Sequence, residues 1–186
     1  MTGLETAIIL IAFVTVAAVF GYAVLSAGLF SAERGKETIY AGLKTAQSNL
    51  EVSGSVIAKS ANNTTVSQIL VTVKNAVAGQ PIDMTPCDGT ANATNKTVIS
   101  LSTSSEYLNN IKWNTNALGA NDGDALLEVG EQLEINIDLA DLGLTAMVNP
   151  ISVNGKFNVQ IKPSLGSTIT VQRTLPAGLE PAMDLH

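Results

Sequence analysis

One uninterrupted apolar stretch, from Leu4 to Phe30, limits what this chain can fold into more than any other part of the sequence. After Glu5 the next charged residue is Glu33, so the stretch exceeds the roughly 20 apolar residues needed to cross the hydrocarbon core of a bilayer. Its large apolar side chains occur all round a helix, and burying each of them is worth about 1.5 to 3 kcal/mol. Lipid, or copies of the same helix, must therefore cover this surface.

Small residues recur along this helix between the large ones. Short side chains let helix backbones approach closely, and a pure lipid anchor does not need so many of them. The sequence therefore favours packing against other helices over simple anchoring. The small residues are Ala12, Ala17, Ala18, Gly21, Ala23, Ser26, Ala27 and Gly28. The residues predicted to form the packed core are Ile8, Ile9, Ile11, Ala12, Phe13, Val16, Ala17, Val19, Phe20, Gly21, Val24, Leu25 and Gly28.

The helix is predicted to continue beyond the apolar stretch, because apolar residues keep recurring at steps of three or four. These residues are Ile39, Leu43, Ala46 and Leu50. A helix from Leu4 to about Val52 would be roughly 70 Å long at 1.5 Å per residue. We expect its second half to pack this apolar stripe on the domain that follows. The predicted division is a helix over 1–52 and a domain over 53–186.

From Gly54 onward the apolar spacing changes to a period of two. In 131–138, Leu133, Ile135 and Ile137 alternate with polar residues at even positions, which indicates a strand with one buried face. The other predicted strands are Val66–Val77, Thr97–Thr103, Tyr107–Asn114, Phe157–Lys162 and Thr168–Gln172. Turn signals separate them, as in antiparallel sheets. The predicted fold class is α+β, a long N-terminal hydrophobic α-helix followed by an antiparallel β-sandwich or barrel that is immunoglobulin-like (Ig-like).

Composition excludes several classes of site. The formal net charge of −6 argues against a nucleic-acid surface. The only histidine is His186 and the only cysteine is Cys87, which leaves almost no room for catalysis by His, by Cys with His, or by a multi-cysteine metal cluster. Cys87, between Pro86 and Asp88, is interpreted as a loop thiol. No cofactor is predicted.

Four Asn-X-Ser/Thr motifs, the acceptor pattern for N-glycosylation, lie in the β-rich part of the chain. They are Asn62 with Thr64, Asn63 with Thr65, Asn92 with Thr94, and Asn95 with Thr97. A single match is weak, but two tight clusters in polar segments favour a glycan on at least one site. The alternative is that they are ordinary asparagines of turns.

Acidic side chains give only weak candidates for chemistry. Asn121, Asp122 and Asp124 offer oxygen ligands to a hard cation such as Ca²⁺, but the segment lacks the full EF-hand pattern. A solvated turn is the favoured interpretation. Glu128 with Glu131 resembles the acid and base of a glycosidase in residue type alone, and solubilising charges are favoured there.

The charges that flank the helix give a conflicting orientation. Arg34 and Lys36 would place the C-terminal side in the cytoplasm by the positive-inside rule. The remainder is poor in charge and rich in Ser, Thr and Asn, which suits an extracellular setting. A basic leader removed during maturation would reverse the count.

The first fifty or so residues resemble the N-terminus of mature archaellins, the major filament subunits of the archaeal flagellum. The segment that carries the resemblance is TGLETAIILIAFVTVAAVFGYAVLSAGLFSAERGKETIYAGL. Near the C-terminus, Lys162-Pro163, Gly166 and Val171 to Ala177 are similar to the family's pattern, and Gly130 to Ile135 resembles a strand-opening segment. Residues from about Asn62 to Asp124 show no match, as is expected of outward-facing loops.

This resemblance implies a structural subunit that polymerises into the archaellum filament, an extracellular, passive propeller for swimming motility. Archaellins resemble type IV pilins in their helix. They are made with a basic leader that a membrane prepeptide peptidase cuts, wait in the membrane, and are extracted by an ATP-driven membrane assembly and motor complex.

Glu5 would then stand where pilins carry their N-terminal glutamate, if numbering starts at the mature first residue, Met1. By resemblance it would neutralise the α-amino group of a neighbouring copy's Met1. The alternative is a first-turn glutamate that the helix dipole favours.

Three other functions stay open at this point. An archaeal type IV adhesive pilin would use the same helix for attachment. A membrane-anchored β-sandwich binding module would need the anchor and no self-assembly. A secreted enzyme such as a glycosidase fits least, because the sequence lacks aromatic-rich clefts and convincing acid pairs.

Overall fold

The computed structural model describes residues 3–77, 79–143 and 147–185. These residues form one long helix and a series of antiparallel strands, in two compact units, Met1–Leu43 and Lys44–His186. The elements are α1 Gly3–Gln47, β1 Leu50–Lys59, β2 Gln68–Asn75, β3 Ile82–Asp83, β4 Val98–Thr103, β5 Tyr107–Leu108, β6 Asn114–Leu118, β7 Leu126–Leu127, β8 Gln132–Asp138, β9 Lys156–Lys162, β10 Ile169–Thr174 and β11 Ala182–Leu185.

The long helix predicted at the N-terminus is confirmed in α1. Glu5 lies in its first turn and Lys44 in its last turn, where each charge complements the helix dipole. In the short charged segment, the Arg34 Nη1 atom lies 3.2 Å from the Glu37 Oε2 atom and the guanidinium stacks 5.2 Å from the Phe30 ring centroid. These local interactions keep the charged segment helical where the apolar stretch ends.

The end of the helix differs from the prediction. α1 ends at Gln47 and not at Val52, and both Leu50 and Val52 belong to β1. Leu50 is buried in the core and pairs with Asn75 of β2. The helical spacing of Leu50 was therefore a coincidence, because tertiary packing fixed this residue in a strand.

Two polar side chains explain why the helix stops there. The Ser48 hydroxyl donates to the Lys44 carbonyl oxygen at 2.9 Å, and the Asn49 Nδ2 atom donates to the Ala46 carbonyl oxygen at 2.9 Å. They satisfy carbonyl groups that a helix end leaves without partners. The Asn49 carbonyl in turn accepts from the Ala76 N–H at 2.8 Å, so the chain enters the sheet directly.

The packing of the apolar stripe in the second half of α1 on the domain that follows stays a prediction. Within α1 itself, Ile39 and Leu43 are 64% and 51% exposed. The hydrophobic cluster of the second unit consists of residues from Leu50 to Leu185, contributed by the strands and by loop residues such as Val66 and Leu175. The helix is therefore not needed to complete that core.

The predicted antiparallel sheets are confirmed. One sheet has the strand order β11-β1-β2-β8-β6, a second has β10-β9-β4-β5, and β3 pairs with β7. Both larger sheets contribute to a single hydrophobic cluster, with Val71 and Ile135 from the first and Ile99 and Val159 from the second. Two sheets that share one core form a sandwich, and the period-two spacing of β8 and β9 places one face of each strand in that core.

The predicted strand Tyr107–Asn114 is instead divided. Tyr107 and Leu108 form β5 in one sheet, whereas Asn114 begins β6 in the other. Between them Ile111 is fully buried, and its N–H donates to the Ile99 carbonyl oxygen at 3.0 Å. The segment crosses from one sheet to the other, which a periodic pattern does not reveal.

Cys87 lies outside the named strands, as the interpretation of a loop thiol implies, and its side chain is fully buried. Its carbonyl oxygen accepts from the Trp113 N–H at 3.2 Å, and its Sγ atom lies 3.9 Å from the Asn110 Oδ1 atom. A buried cysteine in this setting behaves as a small apolar residue of the core.

Candidate assembly surface on the N-terminal helix

The large apolar residues predicted to form a packed core are exposed in α1. Phe13 and Val24, for example, are 73% and 70% exposed, and every described side chain from 3 to 46 is classed as exposed. Among the described residues, Gly3–Ala46 is the helix long and apolar enough to cross a membrane. The exposed core candidates are Ile8, Ile9, Ile11, Ala12, Phe13, Val16, Ala17, Val19, Phe20, Gly21, Val24, Leu25 and Gly28.

Glycine occurs at every seventh position of α1 from Gly21 onward. The residues are Gly21, Gly28, Gly35 and Gly42. Each glycine in a helix interior costs about 1 kcal/mol relative to alanine. A Cβ atom added at any of the four would meet no atom within 4 Å, so packing among the described residues does not require them.

Successive heptads drift by only about 20° round a helix, so the four glycines lie along one stripe of α1. Close approach of another helix along this stripe would explain them. The small residues predicted to allow close packing included Gly21 and Gly28 but not the seven-residue period of the four glycines. That period is visible in the sequence.

Glu5 lies in the first turn of α1 and is exposed. The group predicted as its partner, the α-amino group of Met1, lies outside the described residues. The surface as a whole is a long apolar helix with one acidic residue near its start and a stripe of glycines further along.

A family model described as archaeal-type flagellin matches residues 1–173. The chain belongs to the archaeal-type flagellin family. Among curated relatives, probable flagellin 1 of Archaeoglobus fulgidus is 37% identical, with 99% of this chain and 93% of that protein covered. Probable flagellin 1 of Aeropyrum pernix is 32% identical, with 96% and 93% covered.

Solved structures agree with this assignment. The archaeal flagellum of Methanospirillum hungatei strain JF1 is similar with a TM-score of 0.73 and 26% identity, over 100% of this chain and 99% of that one. A crystal structure of archaeal flagellin FlaB1 from Methanocaldococcus jannaschii shares the fold, with a TM-score of 0.57 and 11% identity over 73% of this chain and 95% of that one. The predicted archaellin family, the α+β fold and the role of structural filament subunit are confirmed.

Two of the four glycosylation motifs of this archaeal-type flagellin lie in the loop between β1 and β2. This loop is at the opposite end of β1 from Leu50. Asn62 and Asn63 are both exposed. The Asn62 Oδ1 atom accepts from the N–H groups of Thr64 and Thr65, each at 3.0 Å. Asn63 has a positive φ of 56°, a conformation that asparagine tolerates in turns.

The other two motifs differ sharply in access. Asn92 and its Thr94 are exposed. The Asn95 Nδ2 atom donates to the Thr97 carbonyl oxygen at 2.8 Å and to the Asn110 Oδ1 atom at 3.1 Å. The Thr97 side chain is buried, and its hydroxyl donates to the Asp83 carbonyl oxygen at 2.6 Å. The amide and the hydroxyl of the Asn95 motif are therefore both engaged in the fold.

The acidic segment of this flagellin between β6 and β7 forms a turn. The Asn121, Asp122 and Asp124 Oδ1 atoms each accept a backbone N–H from the residue two positions on, at 2.8, 3.1 and 2.8 Å. Within the described residues there is no group of three or more His, Cys, Asp and Glu that could hold a metal ion. The Asp122 and Asp124 side chains are both exposed, and we do not assign a metal site to them.

Glu131 was interpreted as a solubilising charge, and this interpretation is wrong. The residue is 9% exposed, and its Oε2 atom accepts the Glu128 N–H at 2.9 Å. It stabilises the turn before β8 by satisfying a backbone donor.

Proposed function

We propose that this archaeal-type flagellin polymerises through α1 into the core of a helical filament, the archaellum, on the outside of the archaeal cell. The filament is a passive propeller for swimming motility. The observation that carries the proposal is the fully exposed apolar surface of α1, which one chain leaves uncovered. Family membership and the similarity to the Methanospirillum hungatei flagellum over the whole chain support it.

Contacts between copies of α1 are of the heterologous type, in which one surface meets a different surface of the next copy. Repeated without closure, such contacts yield an open helical polymer. Exchanging lipid for protein around the helix gains little hydrophobic free energy, because lipid tails are as apolar as leucine. We call the second compact unit, Lys44–His186, the β unit. Close packing along the stripe of glycines, together with contacts between the β units of neighbouring copies, must therefore favour the polymer.

The membrane houses α1 before assembly, since the helix is long and apolar enough to span it. By family resemblance, a prepeptide peptidase and a membrane assembly and motor complex act on the chain before and during polymerisation. The role is structural, with no catalytic step and no nucleic-acid partner.

A density map of filaments sheared from cells tests the proposal directly. We expect the residues from Ile8 to Gly28 to face neighbouring copies of α1 along the filament axis. Side chains that face water, or that stay wrapped in bilayer with no neighbouring helix, would overturn it. A strain without the gene should also lose swimming. A strain that still swims but no longer attaches to surfaces would favour the adhesive pilin.

Glu5 belongs to the proposed polymer core as a charge partner for the α-amino group of a neighbouring copy's Met1. Removing one partner of an ion pair in a low-dielectric core leaves the other charge buried and unpaired, which strongly destabilises the assembly. Glu5→Gln should therefore reduce the number of filaments per cell while leaving the chain in the membrane. Unchanged assembly would leave Glu5 as a first-turn residue that the helix dipole favours.

Glycans are proposed at Asn92 and in the Asn62–Asn63 loop, and not at Asn95. The support is access, since Asn92 and Thr94 are exposed whereas both polar groups of the Asn95 motif are engaged. Intact-mass measurement of native filaments should show excess mass that falls in Asn92→Gln and is unchanged in Asn95→Gln. A native mass equal to that of the bare chain would refute glycosylation altogether.

A further inference from the structure

A broad groove lies on the outer face of the sheet β10-β9-β4-β5, with a volume of about 630 Å³. We call it the lysine groove, because its lining contains two lysines and no carboxylate in a chain with a net charge of −6. Its size falls within the range of pockets that bind ligands in proteins, about 300 to 1,000 Å³. The lining residues used below are Lys96, Ser100 and Lys162.

Strand register places these groups side by side. Val98 pairs with Lys162 and Ser100 pairs with Gln160, so polar side chains of β4 and β9 form the floor. The Ser100 hydroxyl is buried and donates to the Asn109 Oδ1 atom at 2.7 Å. This floor is fixed by the sheet itself.

The two lysines are held differently. The Lys96 Nζ atom lies 2.7 Å from the Asp83 Oδ2 atom, which fixes its position. Lys162 is exposed at the edge of the groove and forms no ion pair with any residue in the described part of the chain. Its charge is therefore the one that a partner of opposite sign would meet.

The same chain carries an exposed surface of opposite charge, the acidic turn, defined as residues 121–124. Asp122 and Asp124 are exposed. Two side-chain to backbone hydrogen bonds within this segment, a third from the Leu126 N–H to the Asp124 Oδ1 atom, and the positive φ of Gly123, 95°, hold its shape. A surface that is already ordered loses little conformational entropy when it binds.

We propose that the acidic turn of one copy docks in the lysine groove of the next copy along the filament. A helical polymer needs two different and complementary surfaces on each copy. The groove lies on the four-stranded sheet, whereas the turn follows β6 of the five-stranded sheet, so each copy offers both surfaces at once. Opposite charge fixes the orientation of the contact. The inference rests on the proposed polymerisation and adds a specific contact in the filament wall.

A cysteine pair tests the contact directly. In the full-length chain, Lys162→Cys combined with Asp122→Cys should give a ladder of covalently linked copies on a non-reducing gel, after mild oxidation of intact filaments. The native Cys87 is buried and does not compete. Lys156→Cys with Asp122→Cys is the matched control, because Lys156 is exposed at the other end of β9 and does not line the groove. Equal ladders from both pairs, or none from either, would overturn the contact.

Substitutions that remove charge but keep the fold provide a second test of the proposed contact. Asp122→Asn with Asp124→Asn removes both charges and keeps the oxygen atoms that accept the backbone N–H groups. We expect the yield of sheared filaments to fall about two- to fivefold. Lys162→Gln should give a similar fall, and the combined variant should be no worse than either alone. Fully additive effects would mean that the two surfaces do not meet.

The outcomes separate this inference from the function beneath it. If the unmodified chain forms no filaments, the proposed polymerisation fails. If filaments form normally, the ladder is absent and Lys162→Glu behaves like Lys156→Glu, only the docking of the turn in the groove fails.

Discussion

The helix α1 and the β unit treat the same kind of side chain in opposite ways. Phe20 of α1 is 68% exposed, whereas Phe157 of β9 is 1% exposed. The β unit buries its apolar residues in one cluster made by strands that lie far apart in sequence. The helix satisfies its backbone hydrogen bonds locally but leaves its apolar surface uncovered.

This difference separates two sources of stability. The free energy of folding of the β unit comes from contacts within one chain, so it is independent of chain concentration. The apolar surface of α1 gains its stabilisation only from molecules outside the chain, so its contribution depends on the concentration of copies or on lipid. Substitutions in the two regions should therefore change different measurements.

Removal of residues 1–43 should have the largest effect. We expect the remaining unit, Lys44–His186, to stay folded and monomeric, because the hydrophobic cluster lies entirely within it. Filaments should be absent. Thermal unfolding followed by circular dichroism, together with sedimentation, checks both statements. A truncated chain that still polymerises, or that is unfolded, would contradict the separation of the two regions.

A matched pair of phenylalanine substitutions should separate folding from assembly. Phe157→Ala leaves a cavity in the core and should lower the free energy of unfolding of the β unit by about 3 to 5 kcal/mol. Phe20→Ala should leave that free energy unchanged and lower the yield of sheared filaments. Urea unfolding and filament yield are measured on both variants. A loss of unfolding free energy in Phe20→Ala would show that α1 stabilises the β unit after all.

Glycines make the same comparison at a smaller scale. A Cβ atom at Gly166 would lie 1.5 Å from the Ser48 carbonyl oxygen, in a residue with a φ of 96°, so Gly166→Ala should destabilise the β unit by about 1 to 3 kcal/mol.

A Cβ atom at Gly28 would meet nothing within 4 Å, and Gly28→Leu should instead reduce filament yield, despite a helix propensity that is better by about 1 kcal/mol. Gly178→Ala is the control, since it also meets nothing within 4 Å. We expect it to change neither unfolding nor filament yield. If Gly28→Leu assembles as well as this control, helices do not approach along the stripe of glycines.

The smallest expected effect concerns the pH dependence of the β unit. Burial raises the pKa of Asp83, but hydrogen bonds from Lys96 and Thr85 outweigh it, so the pKa lies below its usual value. A depressed pKa in the folded state gives stability that is present above the unfolded pKa and lost as pH falls through the folded one.

Asp83→Asn should therefore lower the free energy of unfolding by about 1 kcal/mol or less at pH 7 and by a smaller amount at about pH 3, because the stability that a depressed pKa provides is lost as pH falls. Chemical unfolding at both pH values measures this difference. An equal loss at the two pH values would mean that the Asp83 charge contributes nothing.

Prediction from the sequence succeeded where one local pattern was enough. The alternation in 131–138 predicts a strand and the apolar stretch of α1 predicts a helix. Both predictions succeed because neighbouring residues determine which faces of a strand or a helix are apolar. It failed at Leu50, which has helical spacing but lies in β1. The loop position of Cys87 was predicted, but its burial was not visible in the sequence. In both cases residues distant in sequence decided the outcome, namely Asn75 as a strand partner and Trp113 as a neighbour.

The candidate site divides in the same way. The exposed apolar residues of α1 that are predicted to pack and the seven-residue glycine period are visible in the sequence, since a helix needs no distant residue to define its surface. Access to the four glycosylation motifs is not visible there. Asn92 and Asn95 have equivalent motifs, and only the fold shows that Asn110 and Asp83 engage the polar groups of the Asn95 motif.

The sequence by itself determined that a long apolar helix needs shelter outside its own chain and that a β-rich unit follows it, because hydrophobic spacing along the chain specifies both. The tertiary structure alone decided that the helix ends at Gln47, that Cys87 and Glu131 are buried, and that Lys96 and Lys162 share one groove. Those outcomes depend on strand register and on contacts between residues far apart in sequence, which local spacing does not encode.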